Sequence, residues 1–170
     1  MDAAKGARHH LILTLYVKTM NKLTITADRE DYSVGLTGTL HANGFSGFGE
    51  GWFNNRDVNE FCSRIKNLGN DKTETAELIG SQSKADGSEY LERFGLRCYV
   101  LSESKENGVV GVHVTLSEYP YTDCREQEIL KVSGELQVRN HKIKEFAEKL
   151  NKLVQGSLNE VTLNGDLNDI

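Results

Sequence analysis

Few side chains of this chain stand at spacings that support chemistry. There are three cysteines, Cys62, Cys98 and Cys124, with no C-x-x-C pair and an odd total. That is neither a disulfide framework nor a zinc ribbon, and it points to a reducing compartment. His9, His10, His41, His113 and His141 include no H-x-x-x-H or H-E-x-x-H arrangement. No metal site and no cofactor is therefore expected. Glycines at 47, 49 and 51 are spaced G-x-G-x-G, whereas a dinucleotide fingerprint needs G-x-G-x-x-G opening a helix and a P-loop needs G-K-[ST]. The row is expected instead to bend or bulge an antiparallel strand. Glu50 and Glu135 are the remaining pair. Paired carboxylates can perform acid/base work, but no His, Cys or Ser nucleophile accompanies them. Solvent-facing glutamates before a helix are expected, and no catalytic residue is assigned.

The elements that carry these residues can be read from periodicity. Leu23, Ile25 and Ala27 alternate along one strand, and Tyr32, Val34, Leu36 and Leu40 share one face of the next. The stretch Phe45–Phe53 continues as a glycine-rich strand. Asn54 and Asn55 can cap the following helix, Asp57 favours its first turn, and Val58, Phe61, Cys62, Ile65 and Leu68 form its apolar stripe before Gly69. A short strand is expected around Ala76–Ile79. Phe94, Leu96, Cys98 and Val100 then alternate, as do Val110, Val112, Val114 and Leu116 beyond a Glu106-Asn107-Gly108 hairpin signal. Leu130, Val132, Leu136 and Val138 give the inner face of another strand. A last helix follows from Lys142 to Leu153, with Gly156 past its end.

The two helices expose an internal repeat. At a constant offset of 85 residues Gly49 matches Gly134, Glu50 matches Glu135, Asn55 matches Asn140, Val58 matches Ile143, Phe61 matches Phe146, and Ile65 matches Leu150. Each half is a set of antiparallel strands followed by one amphipathic helix, which must cover a sheet face. The predicted class is α+β: antiparallel sheets of about six to eight strands with two helices packed on them, in a pseudo-twofold arrangement that either a duplication or convergence on a generic strand-helix pattern would give.

Length and composition fit this class. The 170 residues suit one domain, 38% are apolar, and 20 Lys and Arg against 25 Asp and Glu leave a net charge of -5. An acidic chain without a basic run is a poor ligand for phosphate backbones, so no nucleic-acid partner is expected. The longest apolar stretch, Leu11–Val17, is far short of the roughly 20 residues that cross a bilayer. Residues 1–19 are either an extension upstream of a true start at Met20 or the source of an extra edge strand. Residues 20–156 form the expected domain, and 157–170 read as a polar, frayed tail.

Four motifs carry a family resemblance over roughly residues 21 to 155. They are Phe45-Ser-Gly-Phe-Gly49, the helix pattern from Val58 through Phe61 to Ile65, Gly108-Val-Val-Gly-Val-His-Val114, and the final Phe146-x-x-x-Leu150 helix. The chain resembles small bacterial proteins that include immunity proteins of the WapI type, carried beside contact-dependent toxins. The resemblance implies a non-enzymatic cytoplasmic protein that binds and neutralises a cognate toxin; a general interaction module and, less favoured, a carboxylate-using enzyme are the alternatives. The acidic charge suits a basic toxin domain. The candidate partner-binding loop is Glu118-Tyr-Pro-Tyr-Thr-Asp123, where Pro120 stiffens the turn and Tyr119 and Tyr121 offer rigid contact area; the alternative is an ordinary hairpin turn whose tyrosines cover the edge of the core. Glu118, Asp123 and Glu126 give it an acidic rim.

Overall fold

The computed structural model describes residues 21–69, 74–83, 89–102, 108–118 and 125–165. Strand β1, Lys22–Arg29, buries Leu23 and Ile25 and turns Lys22 and Thr26 to solvent, the alternation expected of a sheet wetted on one face. Strand β2, Ser33–Ala42, buries Val34, Leu36 and Leu40. Tyr32, expected on that buried face, precedes the strand and is 85% exposed, because the turn at residues 31–32 ends the alternation. Asn43 and Gly44, both at positive φ (50° and 85°), make the two-residue turn into β3, Phe45–Asn54.

Helix α1, Asn55–Lys66, follows β3 without a loop and buries Val58, Phe61, Cys62 and Ile65. Asn54 is its N-cap, but its side chain makes no capping hydrogen bond; the amide donates instead to Asp57 Oδ2 at 3.1 Å. The chain continues through β4 (Thr75–Ser83), β5 (Glu89–Ser102) and β6 (Val109–Ser117) to β7 (Lys131–Arg139) and α2 (Asn140–Val154). Leu130, read as an inner residue, precedes β7 and is 72% exposed. Gly156, at φ 82°, closes α2: its N–H reaches Leu153 O at 3.1 Å and the Ser157 N–H reaches Lys152 O at 2.8 Å. This is the reverse turn that glycine permits and a side chain resists.

The stretch read as a polar tail contains one more strand. Residues Glu160–Asn164 form β8, which buries Val161 and Leu163 and pairs antiparallel with β1 from Lys22↔Asn164 to Thr26↔Glu160. Two apolar residues at alternate positions are enough here because β1 supplies a complete ladder partner. The choice between Met20 as a start and Leu11–Val17 as a strand lies outside the described residues, as does most of the Glu106-Asn107-Gly108 hairpin signal.

The described residues form two four-stranded antiparallel sheets, ordered β3-β2-β1-β8 and β4-β5-β6-β7, rather than one continuous sheet. Each half of the chain contributes a three-stranded meander, a helix and a closing strand. The closing strand does not join its own meander: β4 pairs with β5, and β8 pairs with β1. The 85-residue offset extends to these closing strands, where buried Ala76 and Leu78 correspond to Val161 and Leu163. The helix starts correspond too. The Asn55 N–H donates to Tyr32 O (3.1 Å) just before β2, and the Asn140 N–H donates to Gly108 O (2.8 Å) just before β6.

The sheets face each other, and the glycine row lies at their closest approach. The β2–β3 register runs from Ser33↔Asn54 to Ala42↔Phe45 without a shift, so β3 is not bulged; the irregularities fall in β4–β5 and β5–β6. A Cβ on Gly47 would meet Val132, one on Gly51 would meet Phe94, and one on Gly49 would strike backbone atoms of Arg93 and Ser117. The glycines are needed because another backbone occupies the space. Phe53 and Phe94 pack edge to face nearby, with centroids 5.6 Å apart. The helices pack on one another and on the closing strands, with Lys66 and Glu148 3.9 Å apart across them. Arg29 ties β1 to the end of α2, donating to Leu153 O (2.8 Å) and Leu158 O (2.6 Å). No helix among the described residues is long and apolar enough to cross a membrane.

Candidate partner-binding surface

The loop expected to bind a partner falls where the two halves differ most. The register aligns Ser117↔Lys131 with His41↔Ser46, since both pairs flank the connection of a meander's last hairpin. Four residues separate His41 from Ser46 and thirteen separate Ser117 from Lys131, so the second connection is nine residues longer. Tyr119, Tyr121 and Asp123 lie outside the described residues. Glu118 is half-buried and structural: its N–H donates to Leu130 O, and its Oε1 accepts the Leu130 N–H, each at 3.1 Å. Glu126 begins a short 3-10 turn, Glu126–Glu128. Behind it Arg125 grips Glu128 through Nη2 at 2.6 Å and its backbone N–H at 3.0 Å, which holds the Glu128 carboxyl below its ordinary pKa.

Glu50 and Glu135, equivalent across the repeat, are held by different partners. Glu50 is bound by Arg93 at 3.2 Å, while Glu135 accepts hydrogen bonds from the Tyr99 hydroxyl and from Gln137 Nε2 at 3.0 Å. They belong to separate networks. Burial, the hydrogen bond to Glu135 and that carboxylate's charge push the Tyr99 phenol up to about 12. On the same outer face of β4–β7, Arg97 makes a bidentate pair with Glu92 (2.7 and 2.6 Å), which raises the guanidinium pKa further, and Glu77 lies 3.7 Å away.

This face also joins Ser133 Oγ to His113 Nε2 at 3.0 Å, a contact between neighbouring strands that no linear motif announces. Glu135, directly across from His113 in the ladder, is engaged by Tyr99 and Gln137. The imidazole thus has no orienting carboxylate among the described residues, and the pair lines none of the clefts described below. Cys62 and Cys98 are buried free thiols. Burial pushes Cys62 up to about 12, against the opposing charge of Lys66, and raises Cys98 as well. No group of three or more His, Cys, Asp or Glu among the described residues could hold a metal ion.

The exposed apolar surface gathers on β3. The inward glycines at 47, 49 and 51 force the even positions outward, so Phe48 (64% exposed) and Trp52 (47%) stand on the outer face with Glu50 between them. Phe45 is exposed at the hairpin end, and Tyr32 at the opposite end, beside α1. Three shallow clefts meet at that corner. One of about 420 Å³ lies among Glu30, Ser33, Trp52, Asp57 and Ile79; the others lie against Asp31, Tyr32, Arg56 and Glu60. The corner therefore combines two exposed aromatic rings with Glu30, Asp31, Asp57 and Glu60 against a single arginine.

Sequence reasoning missed this corner, although the signal was present. Glycines alternating with Phe48, Glu50 and Trp52 mark a strand whose backbone side is crowded and whose side-chain side is open. Compared with protein-family models, curated proteins and solved structures, the chain has no match.

Proposed function

We propose that this chain is a non-enzymatic binding protein of the immunity type, which occupies and neutralises a basic toxin domain in the cytoplasm. One observation carries the reading. Large aromatic side chains stand exposed along β3 and beside α1, and carboxylates outnumber cations in the clefts at Trp52 and Tyr32. Exposed aromatics inside a charged rim are the composition of protein-binding hot spots rather than of a random surface. The acidic rim favours a basic partner and repels phosphate backbones. The longer β6–β7 connection, with Glu118, Tyr119, Tyr121, Asp123 and Glu126, is a second contact region in this reading. The matching halves are read as a duplication whose second copy gained that connection.

The test begins with the gene immediately upstream. Its product is expected to arrest growth when expressed alone, to be harmless when co-expressed with this chain, and to bind the chain at nanomolar affinity by calorimetry. A neighbouring product that neither arrests growth nor binds would overturn the immunity reading and leave a general interaction module.

A further inference from the structure

We propose that the cleft between the β1–β2 turn and the start of α1 receives an arginine side chain of the protein partner, its guanidinium stacked on Trp52 and paired with Glu30 and Asp57. This rests on the binding-protein reading and gives it a chemical address. Trp52 lies directly across from Gly35 in the ladder, and its ring covers that glycine: a Cβ there would sit 2.9 Å from Cε2 and Cζ2 and 3.3 Å from Cδ2. The glycine lets the indole lie against the sheet while the ring stays about half exposed. A planar ring seated this way is a stacking platform, and the negative potential of its face attracts cations.

The two carboxylates are already oriented. Glu30 Oε2 accepts the Ser33 hydroxyl at 3.0 Å, and Asp57 Oδ2 accepts the Asn54 amide at 3.1 Å. Those bonds leave Glu30 Oε1 and Asp57 Oδ1 without a hydrogen bond, and neither residue has an ion pair among the described residues. Both line the cleft with Trp52, and partly exposed Ile79 offers apolar wall for a methylene stem. Asp31 and Glu60 next to the cleft deepen the negative potential, while Arg56 lines the adjoining cleft. Arginine fits better than lysine because a flat guanidinium can stack on the indole and offer its edge to carboxylates at once. At about 420 Å³ and open to solvent, the cleft takes a side chain of a larger partner.

Trp52 is the only tryptophan of the chain, so its fluorescence reports on this site directly. The probe is a short Gly-flanked arginine peptide, compared with its lysine and citrulline counterparts and with a neutral oligosaccharide. The arginine peptide is expected to shift the emission saturably and to lose affinity when ionic strength rises from about 0.1 to about 1 M. The double variant Glu30→Gln, Asp57→Asn, with unchanged melting temperature, should bind about tenfold more weakly. Equal binding of the citrulline peptide or the oligosaccharide, no saturable shift with arginine, or full affinity in the double variant would each overturn the proposal. The same double variant tested against the upstream gene product separates the two readings. Undiminished nanomolar binding would leave the binding protein intact and remove the arginine receptor from it.

Discussion

The closest approach of the two sheets can be tested with one methyl group. Gly49 and Gly134 are equivalent across the repeat, yet their surroundings differ. A Cβ on Gly49 would lie 2.7 Å from Ser117 N and 2.9 Å from Ser117 O, and closer still to the Arg93 carbonyl. All three are backbone atoms, which cannot rotate away, so the sheets must separate. Overpacking of this kind costs about 1–3 kcal/mol, and an obstacle made of backbone places Gly49→Ala near the upper end. A Cβ on Gly134 would meet only Leu40 Cδ2, at 3.7 Å, which is ordinary contact. Replacing a strand glycine there removes its entropic cost, so Gly134→Ala should be neutral or stabilising by about 0.5 kcal/mol. Urea denaturation of both variants should give different midpoints with equal slopes. In heat the separation of about 3 kcal/mol corresponds to roughly 6–12 °C. If Gly49→Ala stays within about 0.5 kcal/mol of the parent chain, the glycine row does not mark a backbone-to-backbone contact and the packing argument fails.

Other consequences are equally direct. Phe61 and Phe146 are buried at equivalent helix positions, so Phe→Ala at either should cost about 3–5 kcal/mol in chemical denaturation; a neutral Phe146→Ala would detach α2 from the core. Tyr99 titrates higher in the folded chain than its ordinary value of 10.0, so its protonated form is favoured by folding. The stability it contributes is complete below about pH 10 and is lost as pH rises toward about 12. Tyr99→Phe should flatten that part of the stability–pH curve, and an unchanged slope would contradict the Glu135 contact. Cys62 and Cys98 should resist a thiol reagent at pH 8 until the chain is unfolded, any native reaction tracing to Cys124 and vanishing in Cys124→Ser.

The fold was legible where local pattern and tertiary environment agree. Alternation placed Leu23, Val34, Phe94 and Val112 on inner faces, and the helical stripes through Phe61 and Phe146 are buried as expected. Reading failed where an apolar residue stands just outside a ladder, as Tyr32 and Leu130 do; without a strand partner, alternation has no face to define. It failed for β8 because a five-residue strand carries only two buried side chains, and its signal resides in a partner strand more than 130 residues away. The exchange of closing strands leaves no mark in the sequence, since β4 and β8 would look the same paired with either meander. The cleft beside Trp52 was illegible for a similar reason. Glu30, Trp52 and Asp57 are brought together by the β2–β3 ladder and the direct passage of β3 into α1, not by spacing.

The two halves share a skeleton, so what distinguishes them locates function better than what they share. In the second half, Gln137 occupies the place of Trp52 and donates to Glu135 within a network that also holds Tyr99. That face is bonded internally. In the first half the equivalent strand turns Phe48 and Trp52 to solvent, and the neighbouring carboxylates keep free oxygens. The tight Asn43-Gly44 turn of the first half is replaced in the second by the connection that carries Tyr119 and Tyr121. The halves thus differ at two points, the side chains of β3 and the length of a hairpin. Departures that leave every core position apolar are not demanded by folding. In the proposed binding function, they are the positions that a partner rather than the fold would constrain.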